Sequence, residues 1–291
     1  MRPHVAGHLA MLTFSALIAG SFALGSLAAN DLAPAALNAV RFWIAAGIIG
    51  ALAVARGGVP RSALAAPWRY VVLGVLMATY FVLMFEGLKT APPVSASAVF
   101  TLTPIMAAGF GWLLLRQRMN GRIALALAIG ASGAVWVIFR ADWGAILRFH
   151  IGRGEAIYFW GCAAHALYTP MVRKLNRGES AVVFSAGTLL TTAIVLTVWG
   201  WPALSTTDWA ALPGIVWITI IYAAIFASAL TFVLIQFAAL RLPASKVMAY
   251  TYLTPTWVIL WQLALGGATP PAAVVAGVVL TMVALLLLLR E

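Results

Sequence analysis

Residues 88–104 read LKTAPPVSASAVFTLTP, and residues 240–255 read LRLPASKVMAYTYLTP. Each stretch begins with Leu beside a basic residue, turns on proline, runs through small and hydroxylated residues, and closes on Leu-Thr-Pro. The two stretches lie half a chain length apart. The same pattern therefore occurs twice in a chain with few polar residues, and the fold can be inferred from this repeat.

The composition sets the class of protein. Of 291 residues, 64% are hydrophobic and 9% are charged, and the mean hydropathy is +1.01. Soluble domains carry about 25% charged residues, so this chain could not cover a soluble surface. A helix crosses a bilayer core with about 20 apolar residues. Ten stretches of that kind occur and predict an all-α polytopic membrane protein: 7–28, 35–55, 70–89, 93–115, 120–139, 156–172, 180–200, 213–238, 244–266 and 272–289.

The N-terminal stretch 2–30 resembles a cleavable signal peptide, with a basic start, an apolar run and Ser-Leu-Ala-Ala before Asn30. Its apolar run is longer than the hydrophobic region of a signal peptide, and nine further spans follow it. We therefore expect the stretch to remain as the first transmembrane span.

The Lys and Arg residues that give the net charge of +11 lie mainly in the predicted loops on one side of the membrane. With the N-terminus placed inside, thirteen Lys and Arg fall on the inner side: Arg2, Arg56, Arg61, Arg69, Arg116, Arg118, Arg122, Arg173, Lys174, Arg177, Arg241, Lys246 and Arg290. Four fall on the outer side: Lys89, Arg140, Arg148 and Arg153. This bias predicts a multi-pass protein of the inner (plasma) membrane with both termini cytoplasmic. Because the topology explains the positive charge, the charge is not evidence of a nucleic-acid partner, and none is expected.

The repeat predicts two inverted halves. The shift between the two copies is five spans, and an odd shift turns the second copy upside down in the membrane. Inverted five-span halves are typical of transporters that rock around a site near the midplane. We expect an N-terminal half at 1–139, a connecting segment at 140–155 and a C-terminal half at 156–291. Pro104 and Pro255, midway along spans 4 and 9, are expected to kink their helices beside a cavity.

This order of spans resembles the drug/metabolite transporter superfamily, EamA type, and within it the YddG-type exporters of aromatic amino acids. The resemblance rests on Arg41 early in span 2, on Gly87-Leu88-Lys89 before Pro92-Pro93, and on the prolines of spans 4 and 9. It implies a central cavity lined by spans 1, 3, 4, 6, 8 and 9, with spans 5 and 10 at the periphery. The family often has Gly-Glu after the fourth and ninth spans. Here Arg116-Gln117 and Gly266-Gly267 stand at those places, so no role of those glutamates carries over.

Two ionisable residues within spans are candidates for gating or coupling. Glu86 near the outer end of span 3 is expected either to pair with Lys89 at the interface or to pair with Arg41 on the outer side, as a gate or a recognition site. Arg41 could instead extend its side chain toward the outer interface, or pair structurally with a neighbouring group. The first span carries no acid, which disfavours a carboxylate-driven antiporter of cationic drugs.

The substrate-contact candidates are Tyr80, Phe100, His165, Tyr168 and Tyr252. His165 lies mid-span, where its imidazole is suited to proton linkage or ligand binding, or else to a hydrogen bond with a neighbouring helix. Tyr80, Phe100 and Tyr252 lie deeper than the interfacial belt that Trp and Tyr usually form, and Tyr168 shares a helical face with His165. Cys162 and His165 offer too few ligands for a metal, and no cofactor is expected.

From these features we expect a secondary transporter that exports amino acids, aromatic or large and apolar, or related small metabolites by alternating access. A drug or other-metabolite efflux carrier of the same fold and a passive channel remain alternatives. We expect no enzyme, because no acid is predicted near His165 to complete a catalytic set. The expected partners are a small-molecule substrate and the lipid bilayer, with no obligate protein partner.

Overall fold

The computed structural model describes residues 3–117 and 120–289, and this part of the chain contains helices and no strand. Arg2, Arg118 and Arg290, which enter the charge count above, lie outside the described residues. Ten spans are present, confirming the all-α polytopic membrane fold. They are span 1 (Pro3–Ala28), span 2 (Pro34–Ala55), span 3 (Trp68–Leu88), span 4 (Pro93–Phe100 and Thr103–Leu115), span 5 (Gly121–Ile138), span 6 (Arg153–Leu175), span 7 (Ala181–Thr206), span 8 (Gly214–Ala239), span 9 (Ala244–Ala249, Tyr250–Leu253 and Thr254–Ala264) and span 10 (Ala272–Leu289).

Eight of these spans are long and apolar enough to cross a membrane by length and composition alone. The two exceptions are spans 6 and 9. Span 6 is the least apolar of the long helices because it carries charged residues at both ends and His165 within. Span 9 is divided into three short pieces and carries Lys246 and Gln262 among its apolar residues.

The packing of the spans repeats with a shift of five, as inverted halves require. Span 3 packs along span 6, and its counterpart, span 8, packs along span 1. The second piece of span 4 packs against span 6, and the corresponding piece of span 9 packs against span 1. Spans 2 and 7 form one long pair and spans 5 and 10 form another. Each of these contacts between the halves therefore has its inverted partner, which confirms the two-repeat architecture.

Spans 5 and 10 form a closely packed pair at one side of this arrangement. A methyl group on Gly133 would lie 2.7 Å from the carbonyl oxygen of Gly277, so no larger residue fits there. Small residues are what allow membrane helices to approach this closely.

The two Leu-Thr-Pro motifs begin new helical pieces. The first piece of span 4 ends at Phe100, and the next piece starts at Thr103 with Pro104 in its first turn, where a missing N–H costs nothing. The hydroxyls of Thr101 and Thr103 donate to the carbonyls of Ala98 and Phe100, at 2.6 and 2.7 Å. The Phe100 carbonyl thereby gains the donor that Pro104 cannot supply, whereas the Ala98 carbonyl also accepts from the N–H of Thr101.

Span 9 breaks at the matching place, where Tyr250–Leu253 forms a 3-10 turn before Thr254 and Pro255 start the next helix. The two breaks meet, because the Thr103 and Thr251 hydroxyl oxygens lie 3.2 Å apart in a buried hydrogen bond. The repeated sequence therefore places two broken helices against each other across the halves.

Span 8 contains an irregularity that the sequence pattern does not reveal. Residues Ile225–Leu230 form a π-helical segment between two regular helices. Segments of this kind are rare and occur often at functional sites. Before span 6, the predicted connecting segment holds a short helix, Trp143–Leu147, and span 6 begins at Arg153, inside the predicted segment 140–155.

Candidate functional site

A small buried cavity lies between the two halves, near the middle of spans 1, 3, 6 and 8. Its lining is almost entirely apolar and aromatic: Phe14, Ile18, Ser21, Met77, Tyr80, Phe81, Met84, His165, Ala227, Thr231, Phe232 and Ile235. Its volume is about 20 Å³. A single water needs about 10–15 Å³, so the cavity has room for water but not for an amino acid in this conformation. Spans 4 and 9, which the resemblance implies as walls, contribute no residue to this lining.

Three of the predicted contact residues meet beside the cavity. The ring of His165 lies 4.5 Å from the ring of Tyr80 and 5.2 Å from that of Phe100, measured between centroids. The Tyr80 and Phe100 centroids are 5.8 Å apart. Aromatic pairs at about 4.5–7 Å attract one another beyond their buried area. Tyr80 and His165 face the cavity, whereas Phe100 packs on them from span 4.

The cavity wall holds two buried polar atoms without a hydrogen-bond partner. These are Nδ1 of His165 and Oγ of Ser21, whose residues are each 2% exposed. Leaving a buried polar atom unpaired costs about 1–3 kcal/mol. Because the cavity is lined by both residues, a bound solute or water can supply the missing partners.

Further hydrogen bonds hold the aromatic groups in place. The Tyr158 hydroxyl donates to the Tyr80 hydroxyl at 3.1 Å. Tyr168 lies one turn from His165, at 6.2 Å between rings, and its hydroxyl accepts a hydrogen bond from Nε2 of Gln236 at 3.1 Å. Tyr168 is therefore part of the cluster but not of the cavity lining.

Tyr252 lies elsewhere. Its ring packs against Gly130 of span 5, so closely that a side chain at Gly130 would overlap it. Its backbone carbonyl accepts a hydrogen bond from the hydroxyl of Thr281 in span 10 at 3.0 Å. The 3-10 turn of span 9 directs this tyrosine toward the peripheral pair of spans, and the structure does not bring it to the other four predicted contacts.

Arg41 is fully buried, so the expectation that it extends to the interface is wrong. Its Nε donates to Oγ of Ser228 at 2.7 Å and its Nη2 to the carbonyl of Ala227 at 2.8 Å, both in the π-helical segment of span 8. Nη1 donates to Oδ1 of Asn38 at 3.2 Å. The guanidinium lies 4.1 Å from the centroid of the Phe81 ring. Arg41 thus joins span 2 to span 8 directly behind the cavity wall.

Glu86 pairs with Lys89 and not with Arg41. The Lys89 Nζ and Glu86 Oε2 atoms are 2.7 Å apart, and both side chains are about a third exposed. The predicted outer gate between Glu86 and Arg41 is therefore wrong, because the i,i+3 spacing on span 3 gives Glu86 a nearer cation.

The described residues contain a second buried arginine, Arg69, which the charge pattern placed among the inner loop cations. Its Nη2 lies 2.7 Å from Oε1 of Glu179, with both side chains almost fully buried. The N–H of Arg177 donates to Oε2 of Glu179 at 2.6 Å. Burial alone would raise the pKa of the Glu179 carboxyl, but the hydrogen bonds from Arg69 and Arg177 lower that pKa below its ordinary value. This pair fastens span 3 to the loop before span 7.

Ten lining residues were not among the predicted contacts. They are Phe14, Ile18 and Ser21 of span 1, Met77, Phe81 and Met84 of span 3, and Ala227, Thr231, Phe232 and Ile235 of span 8. Spans 1 and 8 are apolar on every side, so their sequences carry no periodic pattern that marks the cavity face. Over residues 3–117 and 120–289, no three His, Cys, Asp or Glu side chains gather to hold a metal ion.

Ten helical spans in two inverted halves around a buried cavity define a membrane protein of the class that moves small solutes. The chain belongs to the EamA-like transporter family, whose model matches residues 5–139 and 152–290, once in each half. It is therefore a membrane transporter.

One relative agrees with this assignment, and one solved structure shares the fold. The chain is 25% identical over 265 residues to "Uncharacterized transporter YyaM" of Bacillus subtilis (strain 168), and the match covers 90% of this chain and 87% of that protein. A crystal structure described only as that of a protein aligns with a TM-score of 0.74 at 24% identity, over 99% of this chain and 96% of the other. That likeness concerns the fold alone.

Proposed function

We propose that this protein exports amino acids with aromatic or large apolar side chains, or closely related metabolites, by alternating access. The observation that carries the proposal is the cavity itself: an apolar and aromatic lining with two unpaired polar atoms, His165 Nδ1 and Ser21 Oγ. Binding sites for small molecules usually combine an apolar wall with a few polar groups that fix orientation.

The lining matches the two ends of such a solute. Tyr80 and Phe81 offer aromatic surface to a side chain, and Met77 and Met84 are flexible enough to adapt to side chains of different shape. His165 and Ser21 can hydrogen-bond the backbone amino or carboxylate group, each of which needs a polar partner away from water.

The closed cavity supports a carrier. At about 20 Å³ it must enlarge before an amino acid enters, and the matched contacts between the halves provide two equivalent ways to open it. A carrier of this kind exposes one site alternately to each side. The export direction rests on the family resemblance. The proposed location in the inner membrane, with both termini cytoplasmic, rests on the same resemblance and on the distribution of Lys and Arg.

The test is exchange in proteoliposomes. Vesicles containing the purified protein are loaded with labelled phenylalanine, and its efflux is followed against a panel of external amino acids, with and without a pH gradient. Saturable exchange that favours aromatic and large apolar amino acids is expected. A flux that neither saturates nor exchanges would indicate a channel, and exchange with drugs but with no amino acid would overturn the substrate class.

A further inference from the structure

Arg41 is the one cation buried within the described spans that lacks a carboxylate partner. Arg69 is paired with Glu179, and Lys89 with Glu86. Asp31, Asp142 and Asp208 are exposed in loops. Glu155, the remaining acid of residues 3–117 and 120–289, is buried in the first turn of span 6, where Oε1 accepts a hydrogen bond from Ser95 at 2.7 Å.

The neighbours of Arg41 carry hydrogen-bond acceptors but no negative charge. Each of its three nitrogens donates one hydrogen bond, to a hydroxyl, a carbonyl and an amide oxygen. A guanidinium does not lose its proton under physiological conditions, so the site retains a full positive charge. The dipoles of Ser228, Ala227 and Asn38 stabilise this charge without neutralising it.

The same neighbours form the cavity wall. Phe81, whose ring lies under the guanidinium, and Ala227, whose carbonyl accepts from it, both line the cavity. Only one layer of atoms therefore separates the charge from a bound solute. In surroundings of low dielectric constant, a charge at about 8–10 Å changes the affinity for a singly charged solute by roughly tenfold.

We propose that Arg41 determines the charge selectivity of the transport cavity: it favours aromatic solutes that carry a carboxylate, oriented toward Phe81 and Ala227, and it excludes aromatic cations. The inference rests on the proposed function, since it names the chemical class that the same cavity accepts. It assigns Arg41 a specificity role behind the cavity wall, in place of the gating or recognition pair with Glu86 that the sequence suggested.

A purely structural role for Arg41 makes a different prediction. If the residue only fastens span 2 to span 8, its replacement lowers affinity for every solute alike. If its charge acts on the cavity, the replacement changes the ratio of affinities between anion and cation. The ratio is therefore the decisive readout.

The experiment measures direct binding to the purified full chain in detergent by calorimetry. The three probes share one phenyl side chain and differ in charge: 3-phenylpropionate, phenylalanine and phenethylamine. Wild type is expected to bind 3-phenylpropionate roughly tenfold or more tightly than phenethylamine. Arg41→Lys keeps the charge and should keep most of this preference, whereas Arg41→Gln should abolish it.

Ser228→Asp provides a second route that leaves Arg41 in place. A carboxylate at position 228 would pair with the guanidinium, because Oγ of Ser228 already lies 2.7 Å from Nε. The anion preference should fall as in Arg41→Gln. Equal binding of anion and cation by wild type, no measurable binding of 3-phenylpropionate, or a preference unchanged in Ser228→Asp and Arg41→Gln would overturn the inference.

The role of Arg41 and the proposed function can fail independently of each other. A protein that prefers 3-phenylpropionate to phenethylamine but exchanges no amino acid in vesicles would contradict the substrate assignment and support the role of Arg41. A protein that exchanges phenylalanine but binds both probes equally would do the reverse.

Discussion

Arg41 and Arg69 are both fully buried arginines, yet the protein treats their charges in opposite ways. Arg69 lies at the start of span 3 and is matched by Glu179 at 2.7 Å, so its charge is neutralised by the protein. Arg41 lies behind the cavity and contacts neutral acceptors. The comparison suggests two uses of a buried cation. An arginine paired with a carboxylate of the protein stabilises the fold, whereas an arginine without one keeps a positive potential that can attract an anionic ligand.

The largest effect is expected from breaking the paired arginine. Arg69→Met leaves the Glu179 carboxylate buried without its cation, which costs about 3–5 kcal/mol of stability. Thermal unfolding in detergent checks this. The double variant Arg69→Met/Glu179→Met should recover part of the loss, because it leaves no buried charge, although the Leu175 carbonyl and the Arg177 N–H lose their partners. If the double variant is as unstable as the single, the pair does not act as an isolated unit.

Arg41→Met should cost less than Arg69→Met in the same unfolding experiment. It leaves three neutral acceptors unpaired, at about 1–3 kcal/mol each, and no buried charge. Arg69→Met likewise frees the carbonyls of Ala66 and Leu175, and it also leaves the Glu179 carboxylate without its cation. The order of the two transition temperatures is the test. An Arg41→Met protein less stable than Arg69→Met would show that the fastening of span 2 to span 8 outweighs the ion pair.

The paired site should also respond to acid. Because the folded pKa of Glu179 is lowered from 4.5, its ion pair contributes stability above the ordinary carboxyl pKa and loses it as pH falls through the lower folded value. The advantage of wild type over Glu179→Gln in transition temperature should therefore be constant near neutral pH and shrink below about pH 4.5. A constant difference from about pH 7 to about pH 3 would contradict this account of the pair.

The exposed pair gives the smallest expected effect. Glu86 and Lys89 are solvated, so Glu86→Gln should change stability by less than about 1 kcal/mol. Labelled-substrate exchange should also be unchanged, because Glu86 does not contact Arg41. A strong loss of exchange in a folded Glu86→Gln protein would restore the coupling role that the sequence suggested.

Much of this architecture could be predicted from the sequence. The ten apolar runs correspond to ten spans, and the repeated Leu-Thr-Pro motif corresponds to two breaks that meet at Thr103 and Thr251. Tyr80, Phe100 and His165 were predicted as contacts and lie together. These features are local, because hydropathy and proline act on the helix that carries them.

The remaining features depend on helix rotation and on long-range contacts. Tyr252 could not be placed because a four-residue 3-10 turn changes the direction of its side chain relative to a regular helix. Two of the three hydrogen-bond partners of Arg41 come from a π-helical segment in the other half of the chain, which the apolar composition of span 8 does not mark. Ser21 is indistinguishable in sequence from any other small residue of span 1.

The central claim is that the cavity beside His165 is the transport site, and counterflow of labelled phenylalanine in proteoliposomes tests it most directly. Wild type, His165→Ala and, as a matched control, His150→Ala in the exposed connecting segment are compared at equal amounts of folded protein. The account predicts an apparent affinity about tenfold weaker for His165→Ala, the worth of one lost hydrogen bond to a charged group, and no change for His150→Ala. A folded His165→Ala protein with wild-type counterflow would contradict the claim.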